Sequence, residues 1–406
     1  DWCTTAKTSP FTAVSGDGFF VNTTSGGITV TLPSSPSAGD IVSVSDYAKT
    51  FDCNAITVGR NGSKIDGLCQ DLVLDTNGIA TTLVYVDATK GWKPVNSNEV
   101  ANELKYVTAT GGTVVTCGNF KTHIFTGSGT LCVSCAGNAA GSQKIDYFVV
   151  AGGGSGGHFI GAGGGAGGLR LSNEYATPAP TMSPLSNPTG LTASVGAIPV
   201  TVGAGAAFQD QPATYPQRQG SNSVFSTITS AGGGGGGFFP AEPGSPVPKG
   251  VGAPGGSGGG GDYNCAAGGY PNGNPGGTGN TPPVSPPQGN SGGIGYAYPG
   301  SGTAAPGGGG GAGAVGGPAP TAGTTGNGGA GSFLADTIIG PKAPSYGGDP
   351  GAGGGGEGAN NPNNPPALNG VANTGGGGGG EGGYPSPGPA GGTGGSGIVI
   401  IRYKFQ

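Results

Sequence analysis

The chain has 406 residues, and its 97 Gly and 35 Pro, about a third of the total, are the residues that helices and central strands tolerate worst. Only 15 Lys and Arg stand against 20 Asp and Glu, a net charge of −5, so no basic surface is available for nucleic acid phosphates. Disorder is the usual meaning of so much Gly and Pro, but it goes with low hydrophobicity and dense charge, whereas here 33% of residues are hydrophobic and 9% charged.

Taken in chain order, the text divides into four parts. Residues 1–98 alternate apolar and polar positions with a period of two at 18–21, 28–32, 41–44, 56–58 and 82–86, separated by turn-forming Ser-Gly-Gly, Pro-Ser-Ser-Pro and Asn-Gly steps. This predicts an all-β module closed near its end by Trp92. Residues 99–150 form a connector and a strand base, with strands expected at 113–117, 122–126, 130–134 and 144–150. Residues 151–397 are glycine runs broken by short, dissimilar inserts, with strand-like stretches at 198–202 and 223–229. Residues 398–406 close the chain with an apolar strand. A folded insertion must return its end to the sheet it left, so this strand implies that the glycine-rich part is folded. The expected fold class is all-β with no α-helix of note.

The glycine runs exclude collagen, because 232–237 and 375–380 are unbroken Gly where a triple helix needs side chains at two positions in three. An extended left-handed helix of three residues per turn has no internal hydrogen bonds, and glycine lets several such helices approach and bond to one another. A polyglycine II bundle is therefore expected on the β base. Antiparallel passes between strands 223–229 and 398–404 should be even in number. The runs from Gly232 onward count nine, so one boundary is misplaced, and the suspect stretch is 255–277.

Motifs of chemistry are weak. The pattern Gly152-Gly-Gly-Ser-Gly-Gly157 follows a strand but cannot open the helix that a dinucleotide fingerprint requires. His123 and His158 are the two histidines, and His123 reads as a hydrogen-bonded sheet residue. Cys132-Val-Ser-Cys135 has no partner pair for zinc. Cys53 with Cys69, or Cys132 with Cys135, could pair, but by analogy with the usual fate of buried Cys all seven are expected to be reduced structural thiols. Asn22 and Asn61 open glycosylation sequons that matter only on a eukaryotic secretory route. No stretch reaches the roughly 20 apolar residues of a membrane span, and no membrane insertion is expected. The chain begins at Asp1 rather than Met, so it reads as processed or trimmed. No cofactor, metal site or enzymatic activity is expected.

Aromatic residues cluster beside the glycine runs: Phe238, Phe239, Tyr263, Tyr270, Tyr296, Tyr298, Tyr346 and Tyr384. They either cap bare backbone or line a binding surface, since Tyr and Phe give rigid contact area at low entropic cost. Variable loops on a constant scaffold favour the second use.

Two stretches resemble the C-terminal part of tail-fibre proteins of T4-like phages of marine hosts, cyanophages included. The first holds Trp2-Cys-Thr-Thr-Ala-Lys-Thr8, Phe19-Phe-Val-Asn-Thr-Thr-Ser-Gly-Gly-Ile-Thr-Val-Thr-Leu-Pro33, Gly59-Arg-Asn-Gly-Ser63 and Leu83-Val-Tyr-Val-Asp-Ala-Thr-Lys-Gly-Trp92. The second comprises Asp146-Tyr-Phe-Val-Val-Ala-Gly-Gly-Gly154 and Gly395-Ser-Gly-Ile-Val-Ile-Ile-Arg-Tyr-Lys-Phe405. The resemblance implies an adhesin at the virion's fibre tip, with polyglycine II helices holding loops against a host outer-membrane protein or surface glycan, and a homotrimeric N-terminal module among other fibre chains. The alternative expectation is an extracellular structural fibril or cell-wall protein whose inserts only cap. The inserts 240–248, 280–288 and 360–369 share little beyond Pro and polarity, which favours recognition over a repeating polymer. An ice-binding plate would need a flat, regular face, and the bulky inserts oppose it.

Overall fold

A computed structural model describes residues 1–95, 104–158, 161–176, 183–208, 218–238, 250–263, 273–296, 305–321, 324–333, 351–352, 355–356, 367–381 and 391–406. Among them no α-helix occurs, and the protein is all-β. Its contacts group into two compact units, Asp1–Leu104 and Lys105–Gln406.

The first unit contains β1 (Trp2–Lys7), β2 (Phe11–Thr12), β3 (Asp17–Val21), β4 (Ile28–Thr31), β5 (Ile41–Asp46), β6 (Ile56–Gly59), β7 (Leu72–Leu74), β8 (Ala80–Asp87) and β9 (Gly91–Pro94). The chain alternates between two sheets, ordered β1-β3-β5-β8-β9 and β2-β4-β6-β7. Pairs β1 with β3, β3 with β5, β2 with β4 and β4 with β6 are parallel, so the crossover that parallel strands require is here a strand of the facing sheet. Like residues consequently stack in register, Val30 against Val58 and Ile28 against Ile56. One core fills the space between the sheets, with Val21, Val30, Leu32, Phe51, Ile65, Leu83 and Trp92 all fully buried.

Asp46 organises the turns of this unit. Its Oδ1 accepts the N–H of Ala48 at 3.2 Å and of Thr50 at 3.3 Å, and its Oδ2 accepts those of Phe51 at 3.4 Å and Gly78 at 2.9 Å. Without the carboxylate four N–H groups lose their acceptor, that of Phe51 in a buried position, so Asp46→Ala is expected to destabilise the unit by about 2 kcal/mol. Both tryptophans lie in this unit, and the denaturation midpoint of their fluorescence measures the loss.

The second unit holds β10 (Val107–Thr110), β11 (Thr113–Cys117), β12 (Phe120–Phe125), β13 (Gly129–Ala136), β14 (Lys144–Val150), β15 (Leu169–Leu171), β16 (Leu191–Thr192), β17 (Gly196–Thr201), β18 (Ser223–Phe225), β19 (Ile228–Ser230), β20 (Ser332–Phe333), β21 (Gly351–Ala352) and β22 (Ile398–Lys404). One sheet runs β10-β13-β17-β18-β19 and the other β11-β12-β22-β14-β15, with β16 paired to β14. The stretch 223–229, expected as one strand, is instead the hairpin β18–β19, because the chain reverses at Ser226 in a left-handed conformation, φ 53°. The closing strand β22 lies between β12 and β14, antiparallel to both. Phe125, Leu131, Tyr147, Val149, Phe225, Val399, Ile401 and Tyr403 pack between the two sheets.

His123 is fully buried on β12. Its Nδ1 donates to Gly111 O at 2.7 Å, which leaves Nε2 to accept the Tyr403 hydroxyl at 2.9 Å. Burial holds its pKa below the usual imidazole value against the opposing pull of the Gly111 carbonyl, and the neutral ring is a sheet component. The described cysteines, Cys3, Cys53, Cys69, Cys117, Cys132 and Cys135, are all reduced and form no disulfide among themselves, whereas Cys265 lies outside the described residues. The six are reduced as expected, although none is fully buried and the analogy with buried Cys does not apply to them. Three are exposed, among them Cys132 on the solvent side of β13.

Candidate functional site

β14 runs into glycine at Gly152, and the hydrogen bonding changes from a ladder to a threefold pattern. The N–H groups of Gly152, Gly153 and Gly154 donate to Ser221 O, Gly395 O and Gly165 O. The next three, of Ser155, Gly156 and Gly157, repeat the cycle one turn on, to Arg218 O, Gly392 O and Ala162 O. Successive residues thus face three different neighbours, and every third residue returns to the same one. The returning segment does likewise: Gly161, Gly164 and Gly167 donate to Glu381 O, Gly378 O and Gly375 O, and Ala162, Gly165 and Gly168 to Gly237 O, Gly234 O and Ala231 O. Gly163 and Ala166 donate to Gly307 O and Gly310 O, a neighbour that runs parallel.

These bonds order the described passes. Segments 152–158, 203–208, 231–238, 256–262, 289–296, 316–321 and 375–381 run away from the sheets, and 161–168, 218–222, 250–253, 273–279, 305–311, 324–331, 367–370 and 391–397 run toward them. The run 307–317 is two passes, since Gly311 N–H bonds to Ala314 O across a reversal. Segments 250–253 and 367–370 are further passes that their low glycine content hides. Among the described residues the misread passes therefore lie at 250–253, 307–317 and 367–370, outside the suspected stretch 255–277.

The sheet end of the passes is stapled by side chains. Ser223 Oγ donates to Val150 O at 2.7 Å and accepts Gly203 N–H at 2.8 Å. Gln288 Oε1 accepts Ala231 N–H at 2.8 Å, and its Nε2 donates to Pro282 O at 2.8 Å. Insert 280–288 therefore belongs to the scaffold. Asn280 Oδ1 caps it by accepting the N–H groups of Val284 and Gln288.

The far end is where glycine stops and large side chains begin: His158, Phe208, Arg218, Phe238, Tyr263, Tyr296 and Glu381 all stand there. Phe238, Tyr263 and Tyr296 are each half-buried. Arg218 is buried with its guanidinium 3.8 Å from the centre of the Phe238 ring, while Nη1 donates to Gly236 O at 3.0 Å. His158 Nδ1 meets Glu381 Oε2, and its ring lies 6.4 Å from that of Phe208. Asn274 Nδ2 donates to Tyr263 O at 2.9 Å. Among the described residues no group of three or more His, Cys, Asp or Glu side chains is placed to hold a metal ion.

Asp262 is fully buried beside these groups, with Oδ1 accepting Tyr263 N–H at 2.7 Å and Oδ2 without a partner among the described residues. Burial raises its pKa well above the ordinary carboxylate value, and the Tyr263 N–H only partly opposes this. A raised folded pKa gives stability that is full below the unfolded pKa of 3.8 and is lost as pH rises through the folded value. The second unit is thus expected to weaken with rising pH across that window. Asp262→Asn should flatten the dependence, as read by thermal unfolding at a series of pH values.

Of the eight aromatics singled out in the sequence, Phe238, Tyr263 and Tyr296 occupy this end. Phe239, Tyr270, Tyr298, Tyr346 and Tyr384 lie outside the described residues. The described flanks of 239–249, 264–272, 297–304 and 382–390 are at the far end, whereas 334–350 is flanked by β20 and β21, where Ser332 Oγ bonds Ser183 Oγ at 2.8 Å. Sequence reasoning passed over His158, Phe208, Arg218, Asp262 and Glu381. The available signal was a charged or aromatic residue directly at the end of a glycine run, as in Gly-Gly-His158 and Gly-Asp262-Tyr263.

A family model described as a glycine-rich domain matches residues 126–404. No curated protein matches the chain.

Proposed function

The chain belongs to the glycine-rich domain family, and from that premise we propose that it is a non-enzymatic receptor-binding protein that presents variable loops on a polyglycine II bundle. The threefold cycling of backbone donors among three neighbours supports the polyglycine II reading, because an extended helix of three residues per turn sends its donors out in three directions. One observation carries the functional reading. The dissimilar segments 209–217, 239–249, 264–272, 297–304 and 382–390, each carrying Pro and at least one aromatic residue, have their described flanks on one side, away from the sheets. Many unlike loops gathered on a rigid support is the arrangement that recognition uses. With the resemblance of both ends to phage tail fibres, the reading becomes an adhesin at the fibre tip of a virion. It binds an outer-membrane protein or surface glycan of the host, with its N-terminal module a homotrimer among other tail-fibre chains.

Labelled full-length protein should decorate some bacterial strains and not others. A triple variant, Phe238→Ala, Tyr263→Ala and Tyr296→Ala, is expected to lose at least about tenfold in cell binding while keeping its fold. Equal binding by the variant would reject the assignment of this end. Self-assembly into filaments without binding to any cell would favour a structural polymer.

A further inference from the structure

The five-stranded sheet of the first unit carries a row of aromatic rings that its core does not use. β3 and β5 send Phe19, Val21, Val42 and Val44 inward, so the alternation of a strand turns Phe20, Ser43 and Ser45 to the opposite face. Trp2 and Tyr47 join them there. The Trp2 and Phe20 ring centroids are 5.0 Å apart, and those of Phe20 and Tyr47 are 6.5 Å apart. Trp2 is 48% exposed and Tyr47 59%. The indole lies flat because its register partner is Gly18: a Cβ there would stand 2.7 Å from Trp2 Cε2 and 2.8 Å from Cε3. Hydroxyls run beside the rings, with Ser45 opposite Phe20 and Ser43 Oγ 2.9 Å from Thr82 Oγ1. The outward positions of β3, β5 and β8 beside these rings, Phe20, Ser43, Ser45 and Thr82, carry no charged residue.

We propose that this row is a platform for an uncharged polysaccharide. The exposed rings of Trp2 and Tyr47, with half-buried Phe20 tilted 35° to the first and edge-on at 69° to the second, offer apolar faces to the C–H faces of sugars, the neighbouring hydroxyls match sugar hydroxyls, and the lack of charge disfavours an ionic ligand. Two exposed rings beside a third that is half-buried, one of them accommodated by a glycine, are otherwise a cost to solubility without return. The site is separate from the far end of the glycine passes and does not depend on the function proposed for it.

The test is affinity electrophoresis of the full chain in gels containing hydroxyethyl cellulose, laminarin or dextran, with alginate as the anionic counterpart. Retardation is expected in at least one uncharged polymer, together with a fluorescence change from Trp2, since Trp92 is fully buried. Trp2→Ala and Tyr47→Ala should each weaken it about tenfold. Gly18→Val, which displaces the indole without removing it, should weaken it too. Unchanged Trp92 emission verifies that the variants are folded. Retardation in none of the uncharged polymers, in alginate alone, or undiminished by the ring variants overturns the proposal. Sedimentation that shows self-association lost in Trp2→Ala would give the face to a second copy of the chain.

Discussion

One methyl group added at Gly164 is expected to unfold the glycine-rich part of the second unit, a loss of more than about 4 kcal/mol. Gly164 lies on the first returning pass. Its Cβ would stand 2.6 Å from Ser155 O and closer still to Gly154 O, both of them backbone atoms on a neighbouring pass. Its carbonyl in turn lies under Gly309 and Gly377 from two other passes and accepts Gly356 N–H at 2.8 Å. Backbone cannot rotate away as a side chain can, so the passes must separate and their bonds open together. Gly127→Ala is the control: nothing stands within 4 Å of its Cβ, and the change should be within about 0.5 kcal/mol. Amide hydrogen exchange separates the two outcomes, with protection across residues 152–168 lost in the first variant and retained in the second. Ala162 and Ala166 on the same pass are fully buried, so methyl groups are accepted there at chosen positions.

Removal of residues 398–406 should be as damaging and should act through the sheets. Ile398, Val399, Ile400, Ile401 and Tyr403 are buried on β22, which bonds to β12 on one side and β14 on the other. Cutting the strand leaves two interior edges without partners and opens both cores that it lines. The His123 imidazole and the Ala109 N–H also lose the Tyr403 hydroxyl. The truncated chain is expected to lose protease resistance throughout what remains of the second unit, while Asp1–Leu104 retains its Trp fluorescence.

Much of the strand content was legible in the sequence because a half-buried strand writes a period of two. Strands at 113–117 and 144–150 fall where they were expected, as does the closing strand, although 144–150 and 398–404 are apolar runs buried on both faces rather than period-two strands. Short edge strands such as β2 and β16 hold two residues each and carry no period to read. The shuttling of the first unit between two sheets was not legible either. Alternation fixes which face of a strand is buried but not which strand lies beside it. In the glycine runs the difficulty is greater still: glycine has no side chain to mark a turn, so the reversal between Gly311 and Ala314 looks like unbroken run. Of the site, aromatic residues next to glycine were readable, but their sorting was not. Phe238 and Tyr263 stand at the far end and insert 280–288 at the sheets, a distinction set by the parity of passes.

The central claim is that recognition takes place at the far end of the glycine passes. Hydroxyl-radical footprinting of the full chain, free and bound to cells of a strain that it decorates, tests this most directly. The account predicts protection at Phe208, Phe238, Tyr263 and Tyr296, with none at Val284 or Val315 on the sheet side. Protection confined to Val284 and Val315, with the four aromatics still open to the radical, would contradict it.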